Sequence, residues 1–273
     1  MNPLVQIHHG DSRHELAKLP GASIDLIVTS PPYADQRKST YGGIHADEYV
    51  DWFLPISAEL LRVLKPTGTF ILNIKERVVD GERHTYVLEL ILAMRHQGWR
   101  WTEEFCWHKK NSYPGKWPNR FRDGWERLIQ FNKQKHFSMF QDAVRVPMGD
   151  WAKARLRKLS DTDKTRDESR VGSGFGKKIE NWVDRSLAYP DNVLHMATEC
   201  ANRSHSAAFP EALPEWLLIY LRSPVMLCWT RSWDRARHCV LRNDYREMPL
   251  ALMSFVNTAR RHASNSCRLN QNK

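Results

Sequence analysis

The sequence predicts an α/β fold with a doubly wound parallel sheet, and three observations carry that prediction. Short β-rich apolar runs at residues 23–29, 69–74 and 101–107 alternate with helical spacing at 49–64 and 86–94, the rhythm of strand–helix–strand units. Proline and glycine punctuate that rhythm where the elements end. The 273 residues, 41% hydrophobic and 26% charged, can bury one substantial core and exclude a wholly disordered chain.

Each element has a local cause. The run Ser23-Ile-Asp-Leu-Ile-Val-Thr29 halts at Ser30-Pro31-Pro32-Tyr33, because two prolines without N–H donors prevent further pairing in a central strand. Phe53, Ile56, Leu60, Leu61 and Leu64 share one helical face, and Lys65-Pro66-Thr67-Gly68 reads as the stop before the second strand. The next helix ends near Gln97-Gly98, and the third strand follows. Ligand sites of doubly wound sheets lie beyond the carboxyl ends of strands, so the loop at 30–33 is where a site is expected.

Residues 109–203 break this rhythm with proline, glycine and charge, and read as an inserted recognition region. The net charge of +10 is unevenly spread: residues 1–60 hold four Lys/Arg against eight Asp/Glu. Residues 109–127 hold six basic and two acidic residues interleaved with Tyr113, Trp117, Phe121 and Trp125, and residues 151–180 hold nine against five. Cations neutralise phosphates and aromatic faces stack on bases, so the mixture suits a nucleic-acid partner, the alternative being a solvated basic face. The glycine run between Arg170 and Lys178 has no strand leading into it, and reads as a DNA-contacting loop rather than a phosphate-cradling one.

Other classes are disfavoured. No apolar run approaches the roughly 20 residues of a membrane span, and no signal peptide opens the chain, so a cytoplasmic protein is expected. Cys106, Cys200, Cys228, Cys239 and Cys267 stand singly and read as reduced thiols. His108, His195 and His205 lack paired ligand spacing, so no metal is expected. Asp35 reads as a solvated carboxylate, and Trp99, Trp101 and Trp107 as core residues.

The loop itself offers chemistry. Methylating an exocyclic base amine requires a nitrogen lone pair that is delocalised into the ring. Two acceptors on the amine hydrogens pull that nitrogen toward tetrahedral geometry, while an aromatic side chain holds the extruded base. Ser30 Oγ, the Pro31 carbonyl, the rigid Pro32 and the Tyr33 ring supply those parts.

Gly10-Asp11, Leu19-Pro20, the run from Ser23 to Tyr33, Arg62-Val-Leu-Lys-Pro-Thr-Gly68 and Phe70-Ile-Leu-Asn73 resemble the amino-methylating DNA methyltransferases of the permuted (β) class. The resemblance extends through Asn202-Arg-Ser-His205 and Phe209-Pro210-Glu211-Ala-Leu-Pro214-Glu215, and covers roughly residues 7–224. It implies a circularly permuted, Rossmann-like fold that uses S-adenosylmethionine. Ser30, Pro31, Pro32 and Tyr33 would be catalytic, Asp11 would lie near the adenosine side of the cofactor, and His205, Phe209, Pro210 and Glu215 would line its pocket. Serine at the first motif position, where adenine enzymes usually carry aspartate, favours the cytosine N4 amine. Implied with it are base flipping in duplex DNA, in-line transfer without a covalent enzyme intermediate, and a restriction–modification setting with a cognate endonuclease. The alternatives are an adenine-N6 enzyme, a DNA-binding pseudoenzyme, and an RNA or protein methyltransferase.

The family next presents a strand, an Asp-Pro-Phe and a glycine-rich turn, whereas the stretch from Val225 to Val240 contains no glycine. Rich in Trp, Cys and Arg, it looks unlike a buried strand and glycine turn. Reading the third base of each codon with the first two of the next, Cys228–Trp229 can give only Leu, Trp229–Thr230 only Asp, Trp233–Asp234 only Gly and Met248–Pro249 only Ala. Permitted codons complete a Leu-Asp-Pro-Phe-Met-Gly-Ser-Gly reading, with Ile-Gly-Ile-Asp further on. A one-base deletion near the codon for Pro224 is therefore inferred, the rival being a divergent genuine tail. The expected organisation is 1–108 as the catalytic half, 109–203 as target recognition, 204–224 as a cofactor-side helix and 225–273 as an out-of-frame, poorly packed tail.

Overall fold

The computed structural model describes residues 8–9, 11–36, 43–111, 114–160, 182–198, 210–221, 225–229, 251–253 and 255–256, of which 8–9 and those from 225 onward are described through their backbone. The chain divides into two units, residues 1–139 with 192–273, and residues 140–191. The larger unit begins with β1 (His8–His9), α1 (Ser12–Ala17), β2 (Ile24–Thr29), α2 (Tyr49–Val63) and β3 (Leu64–Ile74). A small hairpin of β4 (Val78–Val79) and β5 (Glu82–Arg83), then α3 (Tyr86–His96), β6 (Arg100–Lys109) and β7 (Trp125–Asn132), follow. The smaller unit holds β8 (Val146–Pro147), α4 (Asp150–Arg157) and β9 (Leu187–Ala188). The chain returns to the larger unit with β10 (Val193–Met196), α5 (Ala212–Leu221), β11 (Val225–Trp229), β12 (Ala251–Met253) and β13 (Phe255–Val256).

Seven strands form one sheet in the order β10-β6-β7-β3-β2-β11-β12. It is mixed rather than wholly parallel, because β7 runs antiparallel to both β3 and β6. Residues 110–124 contain no helix among those described, and without a crossover element the chain can only return antiparallel. β2 has β3 on one side and the late strand β11 on the other, both parallel to it. Its carboxyl end is thus the point where the strand order reverses, the favoured position for a ligand crevice.

The stop expected at 65–68 lies inside β3, which starts at Leu64 and pairs there with Ile24. Gly68 makes this approach possible, because a Cβ at that position would stand 2.7 Å from the Asp25 carbonyl oxygen. Alternation sorts the sheet into two faces. Ile27, Phe70, Leu72, Ile74, Ile129 and Phe131 pack with Leu16 of α1, Phe53 and Leu60 of α2, and Tyr86 and Leu90 of α3. Toward α5, Phe105 meets Trp216 and Tyr220 edge-on at centroid distances of 5.5 and 6.0 Å. Helices thus cover the sheet on two sides, the doubly wound arrangement.

Within the 109–203 stretch, β7 and β10 belong to the large sheet, and the separately folded part is 140–191. The strand at 225–229 departs from expectation too. It pairs with Leu26 to Thr29 of β2 through Met226 to Trp229, and with β12 through Val225 to Leu227. Its Val, Met, Leu and Trp are residues that β-strands accept.

Candidate active site

The carboxyl ends of β2, β3 and β6 and the amino end of β7 lie along one edge of the sheet, and the Ser30–Tyr33 loop crosses it. Tyr49 of α2, fully buried, donates its hydroxyl to the Pro32 carbonyl at 2.8 Å. Helix packing therefore fixes the turn that proline rigidity begins. Asp35, with φ of 54°, turns the chain away. Its side chain is not solvated as the sequence suggested: only 4% exposed, it stands 3.5 Å from the Arg77 guanidinium and accepts from the Ala46 N–H at 3.3 Å.

A polar cluster underlies the loop. Tyr33 donates its hydroxyl to Glu126 Oε2 at 2.7 Å, and its oxygen lies 3.2 Å from Asn73 Oδ1 and 3.4 Å from Ser30 Oγ. Asn73 Nδ2 donates to Glu126 Oε2 at 3.2 Å, and Lys109 Nζ donates to Glu126 Oε1 at 2.5 Å. Glu126 and Asn73 are both buried. Burial, reinforced by the Glu126 charge, pushes the Tyr33 phenol well above its ordinary value, so the hydroxyl remains a donor. Arg127, on the opposite face of β7, is tied to Glu104 at 2.6 Å and Glu76 at 2.7 Å, anchoring the strand that delivers Glu126.

Beside the cluster, residues 114–124 display Trp117, 52% exposed and capped by the Arg120 guanidinium at 4.6 Å, and Phe121, 94% exposed. Asp123 moors this segment to Lys75 at 2.8 Å and Arg83 at 2.7 Å. Burial would raise its carboxyl, but the two cations outweigh burial and hold it down to about 2. In the smaller unit Trp151 is likewise exposed under Arg155. Of the tryptophans expected in the core, Trp99 and Trp107 are buried while Trp101 is exposed.

Three of the five residues expected on the cofactor side lie among the described residues. Asp11 caps α1 and accepts from the Arg13 N–H at 2.9 Å and the Arg13 guanidinium at 2.7 Å; that side-chain contact holds its carboxyl below the usual range. Pro210 is buried before α5, and Glu215 lies exposed in the helix's first turn. His205 and Phe209 lie outside the described residues. Sequence reasoning missed Lys109 and Glu126 as site residues, and met Asn73 only as part of a motif. Glu126 is 93 residues from Tyr33, so only the strand pairing could reveal it.

A family model described as DNA methylase, of the N6/N4 methyltransferases, matches residues 24–223. The chain belongs to this family. The type II methyltransferase M.PvuII of Proteus hauseri is 30% identical over 243 residues, 79% of this chain and 69% of the relative. M.SfiI of Streptomyces fimbriatus is 32% identical over 208 residues, 67% of this chain and 47% of the relative. Among solved structures, the cytosine-N4-specific PvuII DNA methyltransferase superposes with a TM-score of 0.66 at 22% identity, covering 94% of this chain and 83% of that one. The M1.HpyAVI–SAM complex superposes with a TM-score of 0.52 at 12% identity, covering 93% of each chain.

S-adenosylmethionine is the methyl donor of this family. The residues here do not fit it on the side of β11 and β12. After Trp229 no glycine occurs in the remaining sequence, so it lacks the residue type that lets a backbone approach a ligand closely. β12 ends at Met253, followed by Ser254, with no carboxylate to accept from ribose hydroxyls.

Proposed function

We propose that this DNA methyltransferase chain is built to modify the exocyclic N4 amine of a cytosine extruded from duplex DNA. The observation that carries the reading is the Ser30-Pro31-Pro32-Tyr33 loop at the strand-order reversal, with a hydroxyl and an aromatic ring held by a buried polar cluster. Ser30 Oγ and the Pro31 carbonyl accept the amine hydrogens, Pro32 keeps the turn rigid and Tyr33 stacks on the base. Serine at position 30 and the cytosine-N4 specificity of the PvuII enzyme support cytosine over adenine. The exposed Phe121, and Trp117 and Trp151 under Arg120 and Arg155, suit the flanking DNA, and residues 140–191 are the natural reader of sequence. The type II relatives support a cytoplasmic restriction–modification role beside a cognate endonuclease. Asp11, His205, Phe209, Pro210 and Glu215 remain the cofactor-side candidates by resemblance.

A second reading concerns the tail: a one-base deletion near the codon for Pro224 leaves the following residues out of frame. Two facts support it, the family match ending at residue 223 and the absence of any later glycine. The test joins both readings. A chain with one base restored near codon 224 should transfer tritiated methyl groups to bulk unmethylated DNA and yield N4-methylcytosine on nucleoside analysis. N6-methyladenine as the product would replace the cytosine assignment, and inactivity of the restored chain would defeat the frame argument.

A further inference from the structure

The mechanism above needs Ser30 to meet the amine as an acceptor, yet a hydroxyl can equally donate. The hydrogen bonds beneath the loop decide which. Glu126 as a carboxylate accepts only, with Oε1 held by Lys109 and Oε2 facing Tyr33 at 2.7 Å. The single phenolic hydrogen of Tyr33 is committed to Glu126, so the Tyr33 oxygen can only accept from Ser30, 3.4 Å away. Ser30 then directs its own hydrogen inward and turns its lone pairs outward.

We propose that Glu126 is the positioning residue that sets the direction of hydrogen bonding through Tyr33, so that Ser30 presents an acceptor to the substrate amine. This rests on the amine-methylation reading given above. Lys109 holds the carboxylate in place and balances its charge, a partly buried pair in which loss of one partner would leave the other ion uncompensated. Asn73 completes the arrangement, its amide nitrogen donating to the same Glu126 oxygen.

The geometry also supplies the control. Asn73 Oδ1 lies 3.2 Å from the Tyr33 hydroxyl and Asn73 Nδ2 lies 3.2 Å from Glu126, so the double variant Asn73→Asp/Glu126→Gln exchanges carboxylate and amide across one contact. The full chain is labelled with carbon-13 at tyrosine Cζ, and Tyr33 is assigned by its loss in Tyr33→Phe. Glu126→Gln should let Tyr33 ionise at a lower pH than in the unaltered chain, and the exchanged double variant should return it upward. Superimposable titrations in all three proteins overturn the relay and leave the function reading intact. If Glu126→Gln does not fold, the double variant, which conserves one acid and one amide, carries the measurement against the unaltered chain. In a frame-restored chain that transfers methyl groups, Glu126→Gln should slow the transfer about tenfold or more with DNA affinity unchanged, and the double variant should recover the rate. An unchanged rate in Glu126→Gln sinks the relay. Absence of transfer in the frame-restored chain counts against the frame and function readings alone, and the titration of the chain as written still decides the relay.

Discussion

The neighbouring strands β2 and β11, one early and one late in the chain, enter the same sheet and yet differ in what their ends carry. β2 leads into Ser30-Pro31-Pro32-Tyr33, whose side chains join Asn73 and Glu126 in one network. β11 lies parallel beside β2, with Trp229 opposite Thr29, and leads into Thr230-Arg-Ser-Trp233 with no glycine in reach. Strand pairing uses N–H and C=O groups that every non-proline residue possesses. A run such as Val225 to Trp229 can therefore occupy a sheet position whatever its origin. A ligand site depends on individual residues and has no such tolerance, so pairing survives changes that abolish binding.

The largest effect should separate these two ends. By calorimetry the chain as written should show no S-adenosylmethionine binding, whereas restoring one base near codon 224 should create it. Micromolar binding by the present chain would falsify the view that its tail lacks a cofactor site. Next in size is the response of DNA binding to salt. If the basic side chains beside Trp117 and Phe121 in the larger unit, and beside Trp151 in the smaller, contact phosphates, affinity for duplex DNA in a filter-binding series should fall by orders of magnitude between about 50 and 200 mM salt. A flat profile would detach those side chains from DNA.

At the loop, Tyr33→Ala should lose stacking worth about 1–3 kcal/mol. In a frame-restored chain this should appear as a methylation rate lowered by one to two orders of magnitude. Ser30→Ala should lose the amine contact as well, and undiminished rates in both variants would reject the assignment. Gly68→Ala should destabilise the β2–β3 pair, since its Cβ would stand 2.7 Å from the Asp25 carbonyl and 2.8 Å from Leu64 Cδ1. Overpacking of this kind costs about 1–3 kcal/mol in denaturant unfolding, and a neutral substitution would show that the two strands can part without loss.

The smallest effect concerns Asp123. Its folded-state value of about 2 lies below the ordinary carboxylate value, so its ion pairs contribute stability above about pH 4 that is lost as pH falls toward 2. Asp123→Asn should remove that part of the acid dependence and loosen the segment bearing Trp117 and Phe121. Identical acid-unfolding curves for the two proteins would show the mooring to be without weight.

Local information was sufficient for part of this molecule. Apolar runs, helical spacing and the proline pair placed β2, α2, α3 and the Ser30–Tyr33 loop, because period and backbone restriction act over a few residues. The resemblance carried by those same residues pointed to the DNA methyltransferase family, and the family match over 24–223 agrees. Tertiary structure alone decided that β7 returns antiparallel between β3 and β6, that residues 140–191 fold apart, and that Asp35 is buried against Arg77. It alone decided Glu126 as well. Register sets Trp107 opposite Glu126 and Ile74 opposite Arg127, and side chains alternate along a strand. A slip of one residue would therefore turn Glu126 away from Tyr33 and put Arg127 in its place. That register is settled by burial on both faces of the sheet, a sum over distant residues that no local pattern records.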